Sequence, residues 1–328
     1  VTVAPPLLEV DALSVEVLRR HAGSFLAVDG VSFCVKAGGA FGVVGESGSG
    51  KSLMLRALAA VLPNAATAVG GSVRLAGRQL PHTGRAARRE RRGRMAMVFQ
   101  DPLSALDPVH SVGWQIAEVP RKVLGRAAGE SRRRAVELLS LVGIPDAASR
   151  ADAFPHQLSG GMRQRVAIAM ALAAEPELLL CDEPTTALDV TVQAQILELL
   201  DGLRRRLGLA VVLVSHDLAV VRDLCTDVAV MYTGRVVERG TAEQLIDDPR
   251  HPYTRGLIDA AIELDDAAAP PRPIGGSIPD PMQLPPGCSF EPRCPLATSA
   301  CAESVPVLEE VGAGRVSACI HHQLLAAR

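Results

Sequence analysis

The sequence, 328 residues long, predicts an α/β protein built on a mainly parallel sheet covered on both faces. Three observations carry that prediction. Two uninterrupted apolar runs, 178–181 and 210–214, have the length and character of buried parallel strands. Between them, Val190–Leu207 places Val192, Ile196, Leu199, Leu200, Leu203 and Leu207 on one face, at a spacing of about 3.6. A third apolar run, 41–44, leads through a glycine-rich turn into a helical pattern.

The elements follow in order. Residues 7–17, 28–35 and 41–44 read as strands, and 51–62 as a helix stopped by Pro63. Short strands are expected at 72–75 and 95–99, separated by a run of arginines in 85–94. Residues 111–175 are mostly helical in pattern, and 227–238 read as a hairpin turning at Thr233-Gly234. Composition then shifts: 265–287 holds seven prolines, three of them Pro270, Pro271 and Pro273, as well as Gly275-Gly276. Such a segment is extended, and it separates a body ending near 263 from a small tail.

Hydrophobic residues make up 48% and charged residues 21%, which excludes general disorder and fibrous structure. A net charge of −2 argues against electrostatic binding of nucleic acid. Only three of the 34 basic residues are lysine, as a compositional bias toward arginine gives. The arginines at 85, 88, 89, 91, 92 and 94 read as a solvated face, with contact to anionic lipid or a partner loop as the alternative. No stretch reaches the ~18 apolar residues of a spanning helix. Residues 1–11 lack the basic and apolar regions of a signal peptide, so the expectation is a cytoplasmic chain that meets a membrane only through a partner.

The chemistry is concentrated in a few segments. Gly45, Glu46, Ser47, Gly48, Ser49, Gly50, Lys51 and Ser52 fit G-x-x-x-x-G-K-[ST] between a strand and a helix. Backbone N–H groups of such a loop cradle phosphate, its lysine bridges the β- and γ-phosphates, and its serine ligates Mg²⁺. Asp182 ends a buried apolar run, where a carboxylate can hold Mg²⁺ through water, and Glu183 can polarise an attacking water. Taken alone, the two acids would cap a strand end. His216 follows the second run and could contact a γ-phosphate, although a single histidine there is ordinarily structural. Ser159 reads as the N-cap of a helix opening Gly160-Gly161-Met162-Arg163-Gln164.

Taken in order, these segments resemble the ABC-type ATPases: the P-loop at 45–52, Gln100 of a Q-loop, the signature at 158–165, the acidic strand end at 178–183, the D-loop Ala187-Leu188-Asp189, and a switch histidine at His216. The signature lies 23 residues before Asp182. The resemblance covers residues 7–245. It implies an ABC-type ATPase domain over 1–245, with a mainly parallel core sheet, an antiparallel β subdomain and a helical signature subdomain. Two such domains sandwich two ATP molecules, each held by one P-loop and by the other domain's signature. Ser159, Gly160, Gly161 and Gln164 then serve the partner's ATP, Asp189 belongs to the D-loop, and Gln100 joins Ser52 around Mg²⁺. Phe25 is the candidate for stacking on adenine.

Three further features resemble the ATPase subunits of dipeptide and oligopeptide permeases: Phe99-Gln100-Asp101-Pro102, His251-Pro252-Tyr253-Thr254-Arg255, and the tail with Cys288, Cys294, Cys301 and Cys319. They imply a C-terminal extension over 246–328. The implied role is the energy-coupling subunit of a bacterial importer, at the cytoplasmic face of the cell membrane. Its partners would be two integral membrane permeases, a related or identical second ATPase subunit and an extracytoplasmic solute-binding protein, with no nucleic acid. Nickel or another small solute is an alternative cargo. A soluble ABC ATPase acting on nucleic acid or ribosomes is the alternative class, and the absence of a second cassette or sustained heptads argues against it.

The chain has seven cysteines. Cys34, Cys181 and Cys225 are isolated and read as inert buried thiols. The four tail cysteines are separated by 5, 6 and 17 residues, a poor match to the close pairs of zinc sites. They suit a [4Fe–4S] cluster, which the resemblance also implies. Zinc with His321 or His322 replacing one ligand, and unmetallated thiols, stay open.

Overall fold

Alternating apolar and polar residues build two long strands at the start of the chain, β1 (Leu8–Arg19) and β2 (Gly23–Val35). The computed structural model describes residues 5–20, 23–186, 188–265 and 274–325; expectations resting on residues 1–4, Ala187, Pro270, Pro271 and Pro273 lie outside these. Contacts divide the chain into two units, one of Val1–Val35, Ala40–His82 and Leu213–Arg328, the other of Lys36–Gly39 and Thr83–Val212.

In the first unit, β3 (Ala40–Val44) is buried throughout and leads into α1 (Lys51–Ala59). Strands β4 (Ala66–Leu75) and β5 (Arg78–Leu80) follow. An antiparallel sheet forms in the order β2-β1-β4-β5, with Leu8, Leu13 and Val15 on its buried face. β4 starts six residues earlier than the sequence pattern indicates, because pairing with β1 draws in Ala66–Gly71, which have little apolar alternation of their own.

The second unit opens with α2 (Gly84–Arg91), β6 (Met95–Val98) and α3 (Pro102–Ala105). Helices α4 (Val112–Val123), α5 (Ala128–Leu141), α6 (Ala147–Arg150) and α7 (Gly160–Leu172) make up its helical part, around Ile116, Leu138, Leu139, Val166 and Ile168. Then come β7 (Leu178–Asp182) and α8 (Val190–Leu207). β6 and β7 pair in parallel. The α8 stripe is turned slightly from its sequence pattern: Ile196, Leu197, Leu200 and Leu203 are buried, while Leu207 is half exposed. The arginine run is mostly solvated, but Arg91 is buried, donates to the Ala87 carbonyl, and is pulled down to about 10 by desolvation.

The division between units falls within β8 (Ala210–Ser215). The first unit resumes with α9 (Leu218–Leu224), β9 (Asp227–Tyr232), β10 (Arg235–Thr241), α10 (Ala242–Asp247) and α11 (Pro252–Asp265). β9 is parallel to β3 and antiparallel to β10. Their hairpin turns at Thr233-Gly234, both with positive φ (43° and 86°), the geometry that suits the twist of two strands. The tail adds β11 (Glu309–Gly312) and β12 (Arg315–Ser317), which extend this sheet in the order β11-β12-β10-β9-β3.

Candidate active site

The loop between β3 and α1 is held by its neighbours within the first unit. Gly50 has φ 100°, and a Cβ there would lie 2.2 Å from the Ala27 carbonyl oxygen of β2. A Cβ on Gly45 would lie 2.2 Å from the Met231 carbonyl oxygen of β9. Only glycine allows backbone to pack so closely on both sides. The Ser49 carbonyl accepts from the Gly234 N–H at 3.0 Å, so the β9–β10 turn braces the same loop.

Inside that loop, Lys51 and Ser49 are buried. The Lys51 ammonium donates to the Gly45 and Glu46 carbonyls, at 2.5 and 2.9 Å, and to the Ser49 hydroxyl at 3.2 Å. A compact cation is thereby aimed into a nest of loop backbone at a helix N-terminus, the arrangement that receives phosphate oxygens. Ser52 follows in the first turn of α1, partly accessible. His216 is exposed just beyond β8. Phe25 is half-buried on β2, with the Arg19 guanidinium 5.0 Å from its ring centroid.

The second unit holds the other residues predicted for the nucleotide site. Asp182 ends β7 and is almost fully buried. Glu183 has φ 45°, a left-handed conformation costly for a side chain-bearing residue and characteristic of functional turns. Its Oε2 accepts from Gln100 Nε2 at 3.1 Å and from the Thr186 hydroxyl at 2.9 Å. Ser159 caps α7 as its sequence context predicts, its Oγ accepting from the Met162 N–H at 3.3 Å. Ser159 and Gly160 are exposed at that helix start, Gly161 is half-buried, and Gln164 is buried. Asp189 caps α8 by accepting from the Val192 N–H at 2.9 Å, and its neighbour Ala187 lies outside the described residues.

Cys288, Cys294, Cys301 and Cys319 line one small cavity with His251, Phe290 and Ala318. Burial pushes the Cys288 and Cys294 thiols up and Cys319 to about 12, and neighbouring thiols add to each shift. A bound metal would reverse that preference and hold the thiolates. Among the described residues, no group of three or more His, Cys, Asp or Glu stands placed to hold a metal ion. The thiols have the chemistry, though not the placement, of ligands to a thiolate-bound group.

Sequence reasoning missed the groups that fasten the tail. Arg315 on β12 pairs with the fully buried Glu238 at 2.8 Å. Burial pushes the Glu238 carboxyl up, against the pull of Arg315. The other Glu238 oxygen accepts from the His251 N–H at 2.9 Å. The His251 ring, itself buried, accepts the Tyr253 N–H on Nδ1 at 3.1 Å. Tyr232, Tyr253 and Phe290 form an aromatic cluster, with ring centroids 4.6–5.4 Å apart. The tail is buried against the sheet and this cluster. His251-Pro252-Tyr253 and the residues around Cys294 stood out in the sequence only as markers of resemblance.

The ABC transporter family profile matches residues 28–186, and that of the oligopeptide/dipeptide transporter C-terminal region matches 237–301. A Brucella abortus (strain 2308) protein named as a peptide import ATP-binding protein is 48% identical over 315 residues, 96% of this chain and 94% of that one. The dipeptide transport ATP-binding protein DppD of Escherichia coli is 44% identical over 319 residues, 97% of each chain. Among solved structures, cbiO1 of Clostridium perfringens, part of the ABC transporter complex cbiONQ, has a TM-score of 0.63 at 28% identity, covering 73% of this chain and 90% of that one. A dimeric ATP-binding cassette in a post-hydrolysis state, bound to ADP and Pi, has a TM-score of 0.64 at 28% identity, over 72% and 98%. Fold and loop together define an ABC-type ATPase. The chain belongs to the ABC transporter family, with the C-terminal region of its oligopeptide/dipeptide transporters. Among the described residues, no helix is long and apolar enough to cross a membrane.

Proposed function

We propose that this chain is the ATP-hydrolysing, energy-coupling subunit of an importer for dipeptides or oligopeptides, working at the cytoplasmic face of the membrane. One observation carries the reading: identity of 44–48% to proteins named for peptide and dipeptide transport runs through the C-terminal region as well as the cassette. The partners in this reading are two membrane permeases, a second cassette, and an extracytoplasmic solute-binding protein.

Each site residue takes a role. Gly45–Ser52 binds the nucleotide phosphates, with Lys51 on the β- and γ-phosphates, and Phe25 is the candidate for the adenine. Ser52, Gln100 and Asp182 serve Mg²⁺, which supplies charge neutralisation on the phosphates when bound. Glu183 polarises the attacking water, and His216 contacts the γ-phosphate. Ser159, Gly160, Gly161 and Gln164 serve ATP on the partner cassette, beside the D-loop Asp189. Support for this comes from the buried lysine nest, the left-handed Glu183 held by Gln100, and the exposed, capped start of α7.

The four tail cysteines are the proposed ligands of a [4Fe–4S] cluster that braces the C-terminal segment, supported by their common cavity and thiol chemistry. The functional reading is tested by reconstituting the chain with its permeases and second cassette in proteoliposomes. ATP-driven uptake of a labelled dipeptide or oligopeptide supports it. Uptake of nickel without peptide replaces the cargo, and ATP turnover stimulated by nucleic acid but not by permeases overturns the importer role.

A further inference from the structure

Glu46, the second residue of the phosphate-binding loop, is gripped through its side chain and its backbone N–H by the C-terminal part of the chain. Its two carboxylate oxygens accept from Arg293 Nη1 and Nη2 at 2.8 and 3.0 Å, a bidentate pair. Its N–H donates to the Tyr253 hydroxyl at 2.7 Å. Its carbonyl accepts from the Lys51 ammonium at 2.9 Å. The Arg293 side chain is only 3% exposed, and each of its five N–H donors has an acceptor. Beyond Glu46 these acceptors are the carbonyls of Ile274 and Gly275 and the hydroxyl of Tyr232, at 2.9–3.3 Å. Only a planar guanidinium satisfies that set, and a lysine cannot reproduce it.

Arg293 directly precedes Cys294. One side of Glu46 thus faces the cysteine segment, and the other sets an acceptor of the loop lysine. Leaving the buried Arg293 guanidinium unpaired is costly, so the two move together.

We propose that Arg293 is a positioning residue for nucleotide binding: it fixes Glu46, and through Glu46 the backbone that places Lys51, so nucleotide affinity responds to the state of the C-terminal segment. Tyr253 supports the same residue from α11. The inference rests on the reading of Gly45–Ser52 as the nucleotide loop.

The test is a double-mutant cycle on the full chain, with ADP and Mg²⁺ titrated calorimetrically so that turnover does not enter. Arg293→Met, which keeps the apolar stem, and Glu46→Gln are each expected to weaken ADP about tenfold, the scale of one charge-assisted bidentate pair. The double variant is expected to lose no more than either single one, because both act through one contact. Arg293→Lys should recover part of the loss. Thermal unfolding of each variant, followed alongside, separates loop positioning from tail anchoring, since anchoring alone lowers the melting temperature without changing ADP affinity. Wild-type affinity in Arg293→Met, or losses that multiply to about a hundredfold in the double variant, overturns the inference while leaving the nucleotide loop in place. Absence of ADP binding by the unaltered chain removes the loop reading and the inference with it.

Discussion

Gln100 Nε2 donates to Glu183 Oε2 at 3.1 Å, joining the second residue after β6 to the acid after β7. The Thr186 hydroxyl donates to the same oxygen at 2.9 Å, so two donors converge on one carboxylate oxygen and orient it. The left-handed backbone of Glu183 points that carboxylate where an extended residue would not. Glu183→Gln is expected to keep ATP binding while cutting turnover by ~10²–10⁴-fold, the range for a lost general base. Single-turnover hydrolysis and nucleotide binding, both measured with the second cassette present, check this. Near-normal turnover would take the water-polarising role away from Glu183.

Gly50→Ala meets both a φ of 100° and an Ala27 carbonyl oxygen 2.2 Å from the added Cβ. The strained backbone alone costs roughly 1–3 kcal/mol. The loop must also shift away from β2. ADP binding is expected to fall below detection, with a lowered melting temperature. Binding unchanged from the parent would mean that the loop adopts another path when it holds nucleotide.

His251 contributes a pH dependence of its own. Desolvation pulls its imidazole from an ordinary 6.5 to about 3, so the folded chain keeps it neutral where the unfolded chain protonates it. A depressed folded value means that its contribution is complete above about pH 6.5 and is lost as pH falls toward 3. Each unit below 6.5 costs about 1.4 kcal/mol, which makes about 2 kcal/mol at pH 5. Denaturant unfolding at pH 7.5 and 5.0 should show wild type losing that much more than His251→Asn, which keeps an acceptor for the Tyr253 N–H. Equal losses in the two proteins would rule out His251 as the titrating group.

Protein purified without oxygen should be brown and carry about four iron atoms per chain, the stoichiometry of a [4Fe–4S] cluster. Cys319→Ser should abolish the colour. The stretch around Cys288–Cys301 should become more open to proteolysis, while β12 stays docked through its pairing with β10 and the Arg315–Glu238 pair. One tightly bound zinc and no iron would replace the cluster with the alternative metal.

Only local features were legible in the residues alone. The P-loop, the Ser159 cap, the Thr233-Gly234 turn and the acid-tipped strand each lie within a few consecutive residues. Backbone geometry over such a stretch follows from glycine, capping hydroxyls and apolar runs without reference to the rest of the chain. The Glu46–Arg293 pair, 247 residues apart, had no such signal. An Arg followed by Cys reads the same in sequence whether its charge meets water or a carboxylate of the loop. The burial of Arg91, the rotation of the α8 stripe from Leu207 to Leu197, and the gathering of four unevenly spaced cysteines on one cavity were equally silent. These depend on the fold: strand order brings β12 beside β10, the aromatic cluster sets the Tyr253 hydroxyl against the Glu46 N–H, and desolvation then selects which charges must pair.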